Sequence, residues 1–140
     1  MTGVSKMAYW LLKSEPGVYA FADLVRDKKT TWDGVTNNLA LKHIRAMAKG
    51  DLAFIYHSGD EKSIVGIAEI ASEPYPDPKA DNPKIVVVDL KAKDALARPV
   101  SLADIKAKKE FADFALVRIS RLSVMPVSAA QWKSLLAMSR

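Results

Sequence analysis

The sequence predicts a small α+β domain: a mostly antiparallel β-barrel of five to six short strands, with short helices at its periphery. Three observations carry that prediction. The apolar runs are only about five to eight residues long and are bounded by Gly, Pro, Asn and Asp, which is strand rather than helix punctuation. Helical patterns fall between them at irregular intervals, without the regular strand–helix alternation of a doubly wound parallel sheet. The chain has 140 residues, with 49% hydrophobic and 26% charged side chains. That is the size and composition of one globular unit able to bury roughly two-thirds of its unfolded surface.

The elements follow in order. Ala8 to Leu12 is a buried strand that stops at Lys13-Ser14-Glu15-Pro16, because proline cannot donate to a central ladder and holds its predecessor extended. Phe21 to Asp27 forms a short helix, and Thr30 to Thr36 contains an Asp-Gly turn. Asn37 or Asn38 caps a helix running to Lys49, with Ala40, Leu41, Ile44, Met47 and Ala48 at helical spacing and Gly50 closing it. Asp51 to Ser58 and Ser63 to Ser72 are strands. Gly66 inside the second marks a bulge or a close approach. Four prolines make Pro74 to Pro83 a loop, and Lys84 to Leu90 is a β-branched strand. Ser101 caps a helix through Lys108, Phe114 to Arg121 is a strand, and Ser128 with Gln131 has capping-box spacing for a last helix carrying Trp132, Leu135 and Leu136. Residues 1–7 read as a polar leader, with Met7 as an alternative start.

Charge and composition narrow the function classes. The net charge is +5; residues 1–70 carry nine basic and eight acidic groups, and residues 71–140 carry twelve and eight. A basic balance favours polyanions, although solubility alone explains an excess of this size equally well. The chain has no cysteine, which excludes disulfides, thiolate catalysis and Cys-ligated zinc and fits a reducing compartment such as the cytoplasm. No apolar run approaches the roughly 20 residues that cross a bilayer, so no membrane partner is expected.

Five stretches, taken together and in order, resemble the EVE domain family of the PUA-like class. They are Tyr9 to Pro16 (YWLLKSEP), Trp32 to Asn37 (WDGVTN), Phe54 to Ser58 (FIYHS), Gly66-Ile67-Ala68, and Arg121 to Val127 (RLSVMPV). The resemblance runs from residue 8 to about 136 and assigns residues 8–140 to one domain. It implies a PUA-like barrel related to domains that recognise modified or extruded bases in RNA or DNA, with no cofactor and no catalysis. Thr36, Asn38 and Ile85 depart from the pattern, standing where the family usually has arginine, an aromatic or proline, and tryptophan.

A captured base needs flat faces to replace lost stacking and fixed polar groups to read its edge. Trp10, Trp32, Tyr9 and Tyr56 are candidate faces. Ser14, Asn37, His57 and Ser58 are candidate edge readers, and Lys13 reaches a phosphate or a base carbonyl. Val35, Arg121 and Ser123, inside the matched motifs, complete the expected ligand-binding set. Plainer roles stand beside these: Trp10 as core, Tyr56 as core or pocket wall, Asn37 as a helix cap, Lys13 as a solvated charge. Trp32 sits in a polar turn and has less reason to be core. Arg118 and Arg121, three apart on a strand, face opposite sides.

Enzymatic readings have less support. His57 and Ser58 are adjacent on a strand and cannot pair as base and nucleophile, although folding could bring Ser14 to His57 with Asp33 or Asp60 as orienter. The only histidines are His43 and His57, so no metal site is expected, and there is no phosphate-binding glycine loop. The expectation is a non-enzymatic, cofactor-free reader of modified nucleic acid, with a monomer favoured. A binder of a nucleoside-like metabolite, or a hydrolase using the same cavity, is the alternative.

Overall fold

The computed structural model describes residues 7–140; residues 1–6, which make up nearly all of the expected leader, lie outside the described part. The strands are β1 (Tyr9–Ser14), β2 (Lys29–Trp32), β3 (Leu52–His57), β4 (Ser63–Ile70), β5 (Tyr75–Pro76), β6 (Val86–Ser101) and β7 (Val124–Val127). The helices are α1 (Phe21–Asp27), α2 (Asn38–Arg45), α3 (Leu102–Lys106), α4 (Ala115–Arg118) and α5 (Ala129–Met138), with a 3-10 turn at Lys109–Phe111. The α+β class and the mostly antiparallel pairing match the expectation. Among the described residues only β1 and β3 run parallel.

The expected barrel is not closed. Pairing runs β2-β6-β4-β3-β1-β7, with β5 added to β6, and β2 and β7 remain separate edges of one seven-stranded sheet. Helix α2 packs against both β6 and β7 with its buried face of Ala40, Leu41 and Ile44, so a helix rather than a ladder connects β7 to the β6 end of the sheet. Pro126 lies in β7, where a missing donor suits an edge strand. The seam between the edges is where the cleft described below opens.

Local chemistry explains each element. Asn37 Oδ1 accepts from Ala40 N–H (3.0 Å) and starts α2. The Ser128 and Gln131 side chains exchange bonds with each other's backbone N–H (3.0 Å each) and start α5. Ser101 caps α3 as expected. Helix α2 ends at Arg45, four residues short of the expected Lys49. Ala46 and Met47 turn back to the carbonyls of His43 and Ile44, and the Asp51 carboxylate takes Ala48 N–H.

Three further expectations need correction. Phe114–Arg121 is not a strand: Phe114 immediately precedes α4, and Phe111 and Phe114 pack at three-residue spacing, ring centres 5.8 Å apart. Arg118 and Arg121 therefore share no strand; Arg118 pairs with Asp113 at 3.1 Å. The proline-rich loop contains the short β5, and β6 continues far past Leu90. The residues after Leu90 are mostly exposed; Lys91, Ala92, Asp94 and Ala95 pair with β4, and Arg98 N–H donates to the Ser139 carbonyl at 3.0 Å. Pro99 sits where the β4–β6 register slips, between Ile64↔Val100 and Gly66↔Ala95.

Gly66 shows both features expected of it. It lies at the register slip, and a Cβ built on it would come within 2.5 Å of the Phe21 ring. Gly66→Ala should therefore destabilise the fold by about 1–3 kcal/mol through overpacking, read as a lower denaturant midpoint. Phe21→Leu in the same chain should recover part of the loss.

Candidate nucleic-acid interface

The largest well-formed concavity that meets the sequence-predicted residues lies at the unclosed seam. It is a cleft of about 450 Å³, bounded by the end of β1 (Lys13, Ser14), the turn after it (Glu15, Val18, Tyr19), β2 (Thr30, Thr31, Trp32), the Asp33-Gly34-Val35 segment and Ser123. This is within the size range of small-ligand sites, roughly 300–1,000 Å³. Five of the expected residues meet here: Lys13, Ser14, Trp32, Val35 and Ser123.

The sequence folds this way for identifiable reasons. Pro16 and Gly17 end β1 and reverse the chain; Val18 and Tyr19 both donate their N–H to the Glu15 carbonyl, at 2.9 and 2.8 Å. Ser14 Oγ donates to the Tyr19 carbonyl, which ties this turn to the strand. Gly34 adopts φ +79°, which turns the chain from β2 toward α2 and brings Val35 underneath. Strand β2 is anchored on β6 by its ladder and by Thr31 Oγ1, which donates to Asp89 Oδ1 at 3.0 Å.

Trp32 is half-buried and supplies the cleft's main flat face. Tyr19, absent from the expected set, meets it edge-on, with centres 6.4 Å apart and planes at 77°. The two rings therefore form a braced wall rather than a sandwich. Tyr19 is held by donating its hydroxyl to Asp27 at 2.9 Å; burial foremost keeps that hydroxyl above its usual pKa. An aromatic residue just after a Pro-Gly turn was the sequence signal for it. Glu15 and Asp33 add two carboxylates to the lining, and Lys13 adds a cationic side chain.

Lys13 also lines a second, smaller cavity of about 310 Å³, together with Tyr56 and Ser58. Its Nζ donates to the Ser120 carbonyl at 2.9 Å and lies 5.7 Å from the Tyr56 ring centre. Burial lowers its pKa from the ordinary lysine value and raises that of Tyr56. Tyr56 and Ser58 thus belong to the far side of Lys13 and not to the Trp32 wall.

The remaining expected residues are placed elsewhere. Trp10 is 6% exposed, and its indole N–H donates to Asp51 Oδ2 at 2.9 Å, so it is a core residue. Tyr9 stacks on Trp132 (4.6 Å), which stacks on Phe54 (3.8 Å) inside the fold. Asn37 is spent on its cap, and Arg121 is exposed in the turn before β7, outside the linings of both cavities.

His57 is buried and serves the scaffold. Its Nε2 accepts from Phe21 N–H at the start of α1 (2.9 Å), which leaves the ring proton on Nδ1 to donate to Glu61 (3.0 Å). Ser14 Oγ is turned to Tyr19 instead, so the Ser14–His57 nucleophile–base pair does not form. His43 packs near Trp10, and burial, then the charge of Lys42, keeps its pKa below the ordinary value. Among the described residues no three His, Cys, Asp or Glu side chains gather to hold a metal, and no helix is long and apolar enough to cross a membrane.

The model of the EVE domain family matches residues 8–138. Human thymocyte nuclear protein 1 is 32% identical, over 94% of this chain and 73% of its own length. Among solved structures, an NMR structure of a protein from Rhodopseudomonas palustris superposes with a TM-score of 0.90 at 49% identity, covering 95% of this chain and 93% of that one. The crystal structure of human THYN1 protein in complex with 5-methylcytosine containing DNA superposes with a TM-score of 0.86 at 30% identity, covering 95% of this chain and 98% of that one. Since the match runs from the first strand, through both edges of the seam, to the last helix, the chain belongs to the EVE domain family.

Proposed function

We propose that the chain is a non-enzymatic reader of nucleic acid that holds one extruded, modified base, of the 5-methylcytosine type, in the cleft at the open seam. The observation that carries this reading is Trp32: a half-buried indole forming the wall of an open cleft whose rim is polar. Stacking on that face offsets what a base loses on leaving its neighbours. The likeness to a structure that contains 5-methylcytosine DNA supports the choice of base.

The cleft's other groups complement a cytosine edge. Asp33 or Glu15 accepts from the exocyclic amine, while Lys13 donates to ring acceptors and Ser14 and Ser123 add hydroxyls. Val35 is nearly buried and lines the same cleft, where it gives apolar contact to a 5-methyl group.

The test is a titration of 5-methylcytosine and unmodified cytosine oligonucleotides, single-stranded so that unpairing does not enter, followed by tryptophan fluorescence. Burying one methyl contributes about 0.8 kcal/mol, so roughly fourfold tighter binding of the methylated strand is expected. Quenching should accompany binding, because Trp32 is the accessible tryptophan while Trp10 and Trp132 are buried. Equal affinity for the two strands with no quenching would sink the reading.

A further inference from the structure

We infer that the second cavity, on the far side of Lys13, is a phosphate subsite that takes the backbone phosphodiester next to the base held at Trp32. The inference rests on the base-reading role proposed above and adds a site to it. The cavity of about 310 Å³ is lined by Lys13, Lys62 and Lys106, with Tyr56, Ser58 and Ser120 among its other walls. Its lining contains no Asp or Glu, whereas the Trp32 cleft contains two.

Three features point to an anion here. Lys13 is half-buried, yet among the described residues no carboxylate pairs with it, nor with Lys62 or Lys106. A partly desolvated ammonium without a counter-charge is costly, and an incoming phosphate removes that cost. Lys13 uses one of its three N–H donors on Ser120 and keeps two for a ligand. Among the described residues Lys62 is one of two non-glycine residues with positive φ, at +43°, a conformation that a lysine adopts only under local constraint. The constraint is visible: the Lys62 carbonyl accepts Leu102 N–H at 2.8 Å, which docks the Lys62 loop onto the start of α3, the helix that carries Lys106. The strained residue and the helix together set two lysines opposite Lys13.

Position gives the ligand its source. Lys13 lines both cavities, so an anion in the second adjoins whatever occupies the first. A base and its own strand's phosphate are joined by one sugar, which makes a phosphodiester of the same strand the ligand that reaches both.

The experiment uses the full chain, the double variant K62Q/K106Q and two probes: 5-methyl-2′-deoxycytidine, which has no phosphate, and a short single-stranded oligonucleotide containing 5-methylcytosine. Nucleoside binding should stay at the parent level. Oligonucleotide affinity should fall about tenfold, the effect of losing a hydrogen-bonded charge contact. The salt slope should shrink by about 0.7, the contribution of one single-strand phosphate. Lys62→Gly supplies the folding control, because glycine suits φ +43°: it should bind the oligonucleotide more weakly at a Tm equal to or above the parent's. Oligonucleotide affinity and salt slope unchanged in K62Q/K106Q, with nucleoside binding intact, would overturn the subsite and leave the Trp32 cleft standing. Equal losses for both probes would also overturn it, since the lysines would then act through the cleft. A parent chain that binds neither probe sinks the base-reading role and the subsite with it.

Discussion

Trp32→Ala should weaken binding of a 5-methylcytosine oligonucleotide by roughly 5- to 150-fold, which is the 1–3 kcal/mol of one base–aromatic stack. Fluorescence anisotropy with a labelled strand measures it. Stability should change little, because Trp32 is half-exposed at the end of a four-residue edge strand whose ladder to β6 stays intact. Trp32→Phe keeps a flat face and should retain most of the affinity. The informative contrast is Trp10→Phe. Its indole N–H is buried against Asp51, so that variant should lose stability while its binding, measured well below its Tm, stays at the parent level. If Trp32→Ala binds like the parent, the wall has been misassigned, and with it the base site.

The two tryptophans also show where sequence reasoning worked and where it stopped. Trp32 was legible because a large apolar ring in a polar turn beside Asp-Gly has little reason to be core. Trp10 was not, because an indole in an apolar strand looks the same whether it faces a ligand or a buried carboxylate 41 residues away. The helix starts at Asn37, Ser101 and Ser128 were readable, since a cap is a bond between neighbours in sequence. Long-range partnership was not readable. Nothing local announces that β6 continues past Leu90, since its pairing with β4 through Lys91, Ala92, Asp94 and Ala95 is long-range. Nor does anything local announce that α2 packs across from β6 to β7 in a sheet that the pattern would close. Tyr56 and Ser58 were expected in one pocket with Trp32; they line a separate cavity, and that the two spaces are distinct depends on where the Lys13 side chain runs.

Asp51→Ala should destabilise the fold by about 3 kcal/mol, more than any substitution at the cleft, because it leaves buried donors without acceptors. The carboxylate is 5% exposed and takes three N–H groups: Trp10 Nε1 and Ala48 at 2.9 Å through Oδ2, and Ala8 at 3.2 Å through Oδ1. It thereby joins the start of β1, the turn after α2 and the start of β3. Chemical denaturation reads the loss. Asp51→Asn separates charge from geometry: its amide group, placed at Oδ2, would face two donors, whereas at Oδ1 it would face only Ala8, so the variant must choose the latter and should lose less than alanine. Binding provides the second axis. Asp51 sits at the Tyr9 end of β1 and the cleft at the Ser14 end, so at temperatures where Asp51→Ala remains folded its affinity for the methylated strand should equal the parent's. An unchanged denaturation midpoint in Asp51→Ala would show that water replaces the carboxylate at no net cost. A loss of affinity in the folded variant would show instead that the Trp10 end of β1 takes part in binding.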